Sequence, residues 1–269
     1  MRDRLKTKAE ISEEIHSMAS YLPGMIRVFV PSSALNRVPS GWEQLHPEVK
    51  NSSNTTDRES NLERSVRRSK RTVYDLVLCN PFELFATFTI AEDRYDDQKS
   101  KEKIINWHHN QRARNGKFQY LIVPERHKDG ALHFHSVIAG YKGKLKQSYG
   151  PREKPIIKYE KPVYEFPEYK SGFSSVQEIG NEKTDRSMVA TYITKYITKD
   201  IENVTYQKRY WTSNGLLRPI TEDNPDWISS VKPDIIYENE FGQMLIFSNL
   251  ENKELPEYVK LLTATGKYK

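Results

Sequence analysis

Residues 118–139, FQYLIVPERHKDGALHFHSVIA, decide the fold. Phe118 to Val123 is rich in aromatic and β-branched residues and reads as a strand. Glu125 to Ala131 contains Asp129-Gly130, a hairpin signal, and Leu132 to Ala139 reads as the returning strand. Side chains at i and i+2 of a strand share a face. His133 and His135 therefore point together, and Phe134 points into the opposite layer. The turn folds the second strand back and brings Glu125, at the end of the first, close to both imidazoles.

Working outward, Phe85-Ala-Thr-Phe-Thr-Ile90 predicts a central strand. A polar helix follows over roughly Gln98 to Arg114, with Ile104, Ile105 and Trp107 as its buried residues and Gly116 as its end. Downstream, Ser174 to Ile179 predicts a fourth strand. Asp185 or Ser187 then caps a helix carrying Tyr192-Ile-Thr-Lys195-Tyr196-Ile-Thr-Lys199. Upstream, residues 62–78 form an amphipathic helix with Leu62, Val66, Val73, Leu76 and Val77 on one side. The central order β-α-β-β-β-α predicts an α+β fold, an antiparallel sheet with helices packed on one face. Residues 141–170 have little periodicity and read as a basic insertion or long loop. Residues 1–20 look helical (Ala9, Ile11, Ile15, Met18) and lead to the apolar run Met25–Val30. Pro31 to about Ser60 reads as a flexible connection. Ile235-Ile-Tyr and Met244-Leu-Ile-Phe247, joined through Phe241-Gly242, predict a terminal hairpin. The expected division is an N-terminal extension over 1–60, a main domain over 61–215 and a C-terminal extension over 216–269.

The 269 residues suffice for one substantial core with additions. Hydrophobic residues make up 36% and charged residues 29%, a polar but foldable composition. No apolar run approaches the roughly 20 residues needed to span a bilayer, and Met1-Arg-Asp-Arg-Leu-Lys lacks the apolar stretch of a secretory signal. The single cysteine, Cys79, excludes an intramolecular disulfide framework and fits a reducing cytoplasm. The net charge of +6 is only mildly basic, so its placement matters more than its total. Arg64, Arg67, Arg68 and Arg71 form one stripe opposite the apolar side of the 62–78 helix. That stripe is a solvated face or a phosphate-tracking surface, since guanidinium forks fit phosphate oxygens.

Two histidines and one carboxylate on a shared face, with open positions left over, suit a divalent ion such as Mg²⁺ or Mn²⁺ that polarises a phosphate. His127 and Asp129 read as turn residues, and the helical neighbours His108 and His109 diverge. Tyr192 and Tyr196, one helical turn apart, share a side with Lys195 and Lys199. Val189, Ala190, Ile193 and Ile197 take the buried flank. A phenol is a weak nucleophile at neutral pH. A nearby ammonium favours the phenolate and neutralises charge developing on a phosphate.

Phe85-Ala-Thr-Phe-Thr, His133-Phe-His135 and the Tyr192/Lys195–Tyr196/Lys199 helix, in that order, resemble the HUH endonuclease superfamily, specifically the two-tyrosine rolling-circle replication initiators of phages and plasmids. The resemblance covers about residues 62–215. Arg209-Tyr-Trp-Thr-Ser-Asn-Gly-Leu216 also resembles a stretch that follows the tyrosine helix in some of these initiators. The family implies an RRM-like or ferredoxin-like core and a metal held by His133, His135 and Glu125. It further implies attack by a tyrosine on single-stranded or hairpin origin DNA to give a 5′-phosphotyrosine and a free 3′-hydroxyl. There is no Gly-x-x-x-x-Gly-Lys-Ser/Thr segment, so a host helicase and DNA polymerase would complete replication in a bacterial cytoplasm. The competing expectations are a transposase or mobilisation nuclease of the same superfamily, a non-catalytic RRM-like nucleic-acid binder, and a metal-dependent hydrolase of small phosphoesters.

Overall fold

The computed structural model describes residues 17–31, 55–180, 183–198, 208–239 and 242–264. In chain order, β1 (Met18–Leu22) and β2 (Met25–Pro31) precede α1 (Thr55–Cys79), β3 (Leu84–Thr89), α2 (Asp97–Asn115), β4 (Gln119–Arg126) and β5 (Leu132–Ala139). Four two-residue strands follow: β6 (Lys146–Gln147), β7 (Ile157–Lys158), β8 (Lys161–Pro162) and β9 (Tyr164–Glu165). Next come β10 (Ser174–Glu178), α3 (Lys183–Thr194), β11 (Trp211–Thr212), β12 (Ile220–Asp223), β13 (Ile235–Asn239), β14 (Gly242–Phe247) and α4 (Glu257–Ala264). The chain divides into two compact units: one spans Glu59–Arg218, and the other combines Met1–Arg58 with Pro219–Lys269.

The Glu59–Arg218 unit is built on a seven-stranded antiparallel sheet in the order β11-β4-β5-β3-β10-β9-β6. The fold class is therefore α+β, as the element order predicts. Phe88, Ile122, Phe134 and Ile138 project from one face into a core that includes Ile104 and Trp107 of α2. The Trp107 and Phe88 ring centroids lie 4.9 Å apart, and Phe166 stacks on Phe88 from the loop side. Each fully buried side chain of this size contributes about 1.5–3 kcal/mol. Asp96 caps α2 by accepting from the Lys99 amide at 3.0 Å, and Gly116, at φ +87°, ends it. His108 is buried in this layer, its Nδ1 donating to the Ile104 carbonyl at 2.9 Å and its Nε2 accepting from the Ser136 hydroxyl at 3.1 Å. Its polar atoms are satisfied in the core, so it is structural.

Three expectations change here. The helices are not confined to one face: α2 covers the Phe88/Phe134 side, whereas α3 sets Tyr192 against Phe85 on the other. Residues 141–170 are not a loose loop, because β6 and β9 extend the sheet beyond β10 and β7–β8 form a small hairpin. Val163, Phe166 and Tyr169 anchor that segment in buried positions. Met18, read as helical, begins a strand.

The other unit has a five-stranded antiparallel sheet in the order β12-β1-β2-β14-β13. The expected terminal hairpin is β13–β14, and it shares this sheet with the N-terminal pair. Tyr21, Ile26, Val28, Trp227, Phe247 and Val259 form its core. The expected helix around Ala9, Ile11 and Ile15 lies outside the described residues, as does the connection over residues 32–54. Among the described residues no helix is long and apolar enough to cross a membrane.

Candidate nucleic-acid processing site

The register of three strands builds the site. β4 and β5 place Glu125 opposite His133 and Val123 opposite His135. β3 and β5 place Thr87 opposite His135 and Thr89 opposite His133. Residues of the same parity share a face, so Phe85, Thr87, Glu125, His133 and His135 all stand on the face away from α2. The turn that sets this register is a tight one. Asp129 Oδ1 accepts from the Ala131 amide at 3.0 Å, and Gly130 takes φ +89°.

His135 is the centre of the site. Its Nε2 lies 2.8 Å from Glu125 Oε2, and its Nδ1 lies 3.2 Å from Thr87 Oγ1, so both ring nitrogens are fixed. Burial lowers its pKa, partly offset by the Glu125 carboxylate. Burial, with the neighbouring His127, also lowers that of His133. Both rings are thus held towards the neutral form that binds metals. The His133 ring stacks on His127, with centroids 4.6 Å apart, and His127 Nδ1 reaches Asp129 Oδ1 at 3.2 Å.

The tyrosines meet this face. Tyr196 lies flat on His135, with ring centroids 3.7 Å apart and planes inclined by 13°. Tyr192 meets Tyr196 edge-on at 5.3 Å and Phe85 edge-on at 5.5 Å. Lys195 Nζ sits 5.6 Å from the Tyr192 ring centroid. Buried Ala190, Ile193 and Ile197 hold this segment in place.

One detail departs from the sequence reading. α3 ends at Thr194, and Tyr196 lies in the tightened turn beyond it. Lys195, Tyr196 and Ile197 donate to the carbonyls three residues earlier, at 3.2, 3.3 and 3.2 Å. The helix also begins before the expected caps, so Asp185 falls in its first turn and Ser187 donates to the Thr184 carbonyl at 2.9 Å. Lys199 lies outside the described residues. Burial and the adjacent Tyr192 hydroxyl raise the Tyr196 phenol above its ordinary range, whereas the Tyr192 side chain is 43% exposed.

Glu125, His133 and His135 share one face and carry donors suited to a divalent ion. As they stand, Glu125 is paired with His135 and His133 rests on His127. Among the described residues, no three His, Cys, Asp or Glu side chains are grouped as a metal cluster. The donor chemistry fits the ion, and Thr87 supplies the outer contact that orients a ligating imidazole. Arg64, Arg67, Arg68 and Arg71 are all exposed on α1.

Phe85, Thr87 and His127 belong to the site, although sequence reasoning gave none of them a role there. The first two were within reach, because the odd-numbered residues of Phe85-Ala-Thr-Phe-Thr share parity with the histidine face. The stacking of His127 on His133 depends on the path of the turn and had no comparable signal.

An antiparallel α+β sheet with paired imidazoles, a carboxylate and two phenols on one face defines a protein equipped to bind and act on a phosphodiester. Residues 83–201, under half of the chain, match the family model described as replication-associated protein ORF2. That stretch contains the whole arrangement from Phe85 to Tyr196, and the match supports a replication-initiator role. No curated protein and no solved structure matches the chain.

Proposed function

We propose that this protein initiates DNA replication by nicking and rejoining single-stranded DNA through a tyrosine-linked intermediate. The observation that carries this reading is the Tyr196 ring stacked on His135, with Tyr192 beside it and Glu125 bonded to the same imidazole. Potential nucleophiles and an ion-binding face therefore occupy one place, as strand transfer requires.

His133, His135 and Glu125 would hold a Mg²⁺ or Mn²⁺ ion, which polarises the scissile phosphate when bound. A tyrosine oxygen attacks phosphorus in line and loses its proton. The P–O3′ bond breaks, and the departing oxygen takes up a proton to become a free 3′-hydroxyl. The 5′ end remains as a phosphotyrosine. Attack by a 3′-hydroxyl later reverses these events, restores the phosphodiester and releases the phenol. One bond replaces another of the same class, so no nucleotide hydrolysis is needed. Lys195 neutralises charge on the non-bridging oxygens, a role for which Lys199 is also a candidate. The exposed arginines of α1 contact the backbone of single-stranded or hairpin origin DNA. A host helicase separates the strands, and a host polymerase extends the 3′ end.

The test incubates the protein with single-stranded origin DNA and Mn²⁺ and seeks a slow-migrating species on a denaturing gel. The adduct should disappear on chelation and in the Tyr192→Phe/Tyr196→Phe double variant. Binding that persists with chelator, and never yields an adduct under any metal condition, would instead identify a non-catalytic nucleic-acid binder. Cleavage that survives the double variant would identify a hydrolase that does not use these phenols.

A further inference from the structure

The sheet carries a second cavity, on the α2 side of its β4–β11 edge. Its volume is about 630 Å³, within the range of small-ligand pockets. Lys208, Arg209 and Arg218 line it, and among the described residues no carboxylate does. Four rings complete the wall: His109 from α2, Tyr120 from β4, and Tyr210 and Trp211 leading into β11. Trp211 pairs with Ile122 and packs on the α2-side core, so this cavity opens on the sheet face opposite His135.

The walls are pinned. Buried Asn80, just past α1, donates to the Leu217 carbonyl at 3.0 Å and accepts from the Leu217 amide at 2.9 Å. Ser213 exchanges contacts with the Tyr120 backbone, and Arg209 Nη1 donates to Ser65 Oγ at 2.8 Å. Ser69 of α1 reaches the rim. At 100° per residue, Arg68 falls on the same flank as Ser65 and Ser69. The arginine stripe therefore borders the cavity.

We propose that this cavity is a second single-stranded DNA site, which seats one nucleotide with its base among the rings and its phosphates on Lys208 and Arg218. Cations in a lining that holds no carboxylate favour a polyanion, and the aromatic wall favours a π-faced group over a bare phosphate. The Arg209–Leu216 segment thereby gains a mechanism: it forms the strand and turn that frame the cavity and carry two of the rings. The site rests on the functional reading above only in taking single-stranded DNA as the ligand. It uses none of the nicking residues.

The experiment measures anisotropy of a labelled oligonucleotide across a salt series, for the full chain and for a Lys208→Gln/Arg218→Gln variant whose thermal unfolding is checked. Loss of two phosphate contacts should weaken binding about tenfold and flatten the log–log salt slope by about 1.4. Substituting 5-iodouracil along the oligonucleotide should give photo-cross-links to Tyr210 or Trp211, mapped by mass spectrometry. A variant with unchanged affinity and slope, and no cross-link in this segment, overturns the proposal. Deoxyadenosine monophosphate that occupies the cavity as tightly as the strand also overturns it, in favour of a free-nucleotide pocket. Adduct formation is scored in parallel on a minimal oligonucleotide. An adduct with no change in binding removes only this site, and changed binding with no adduct removes only the nicking chemistry.

Discussion

Tyr196 lies flat on His135, raised in pKa by burial, whereas Tyr192 stands 43% exposed beside Lys195. A phenol that must both leave a stack and lose a proton starts at a disadvantage, so Tyr192 should attack first. Tyr192→Phe is expected to reduce the first adduct by at least about 100-fold, and Tyr196→Phe by much less, read from single-turnover gels. Equal losses would mean that the two phenols exchange roles freely. A separate prediction concerns His108, whose pKa is lowered to about 3 by burial. The unfolded chain takes up a proton on this ring near pH 6.5 and the folded chain does not. Its contribution to stability is therefore complete above pH 6.5 and is lost as pH falls towards 3. Urea titrations should show stability dropping between pH 7 and pH 4.5. The slope in His108→Gln should be flatter by up to about 1.4 kcal/mol per pH unit. An unchanged slope would show that other groups govern the acid limb.

At the scale of elements, legibility followed periodicity. β3, β4 and β5 carry strong period-2 or continuous apolar patterns, and their parity alone places His133, His135 and Glu125 on one face. α1 and α2 were legible from helical spacing and from the glycine after Asn115. The short strands β6 to β9 were not legible, because a two-residue strand has no period and its pairing is set by partners distant in sequence. The turn after α3 was missed for another reason: Lys195-Tyr196 has good helical propensity, and nothing local announces the shorter bonds that end the helix. The segment before β10 also supplies a mutational test. A Cβ at Gly172 would run into the Thr89 carbonyl, whereas one at Gly150 would meet its nearest atom at 3.8 Å. Gly172→Ala should cost about 1–3 kcal/mol and disturb the end of the β3 strand that carries Thr87, while Gly150→Ala should leave the urea midpoint nearly unchanged. On α1, replacing Arg64, Arg67, Arg68 and Arg71 with Gln should flatten the salt dependence of single-strand binding by up to about 2.8. No change in slope would make the stripe a solvated face.

For the molecule as a whole, every residue of the candidate nicking site and of the second cavity belongs to the continuous Glu59–Arg218 unit. A polypeptide of residues 59–218 should therefore fold alone and form the tyrosine-linked adduct, judged by cooperative unfolding and the same gel. Failure to fold would show that the flanking unit supplies essential stability. That flanking unit is assembled from two segments far apart in the chain: β2 lies between β1 and β14, and β1 pairs with β12. On the ribosome, β2 must wait for its missing neighbour until the tract encoding the chemistry has been made, roughly 10–40 s at ordinary elongation speeds. During that interval its unmatched backbone is open to capture by another nascent chain. Synthesis order thus makes the chemical tract the first part able to mature, and leaves the opening strands as the step where crowded translation is most prone to go astray.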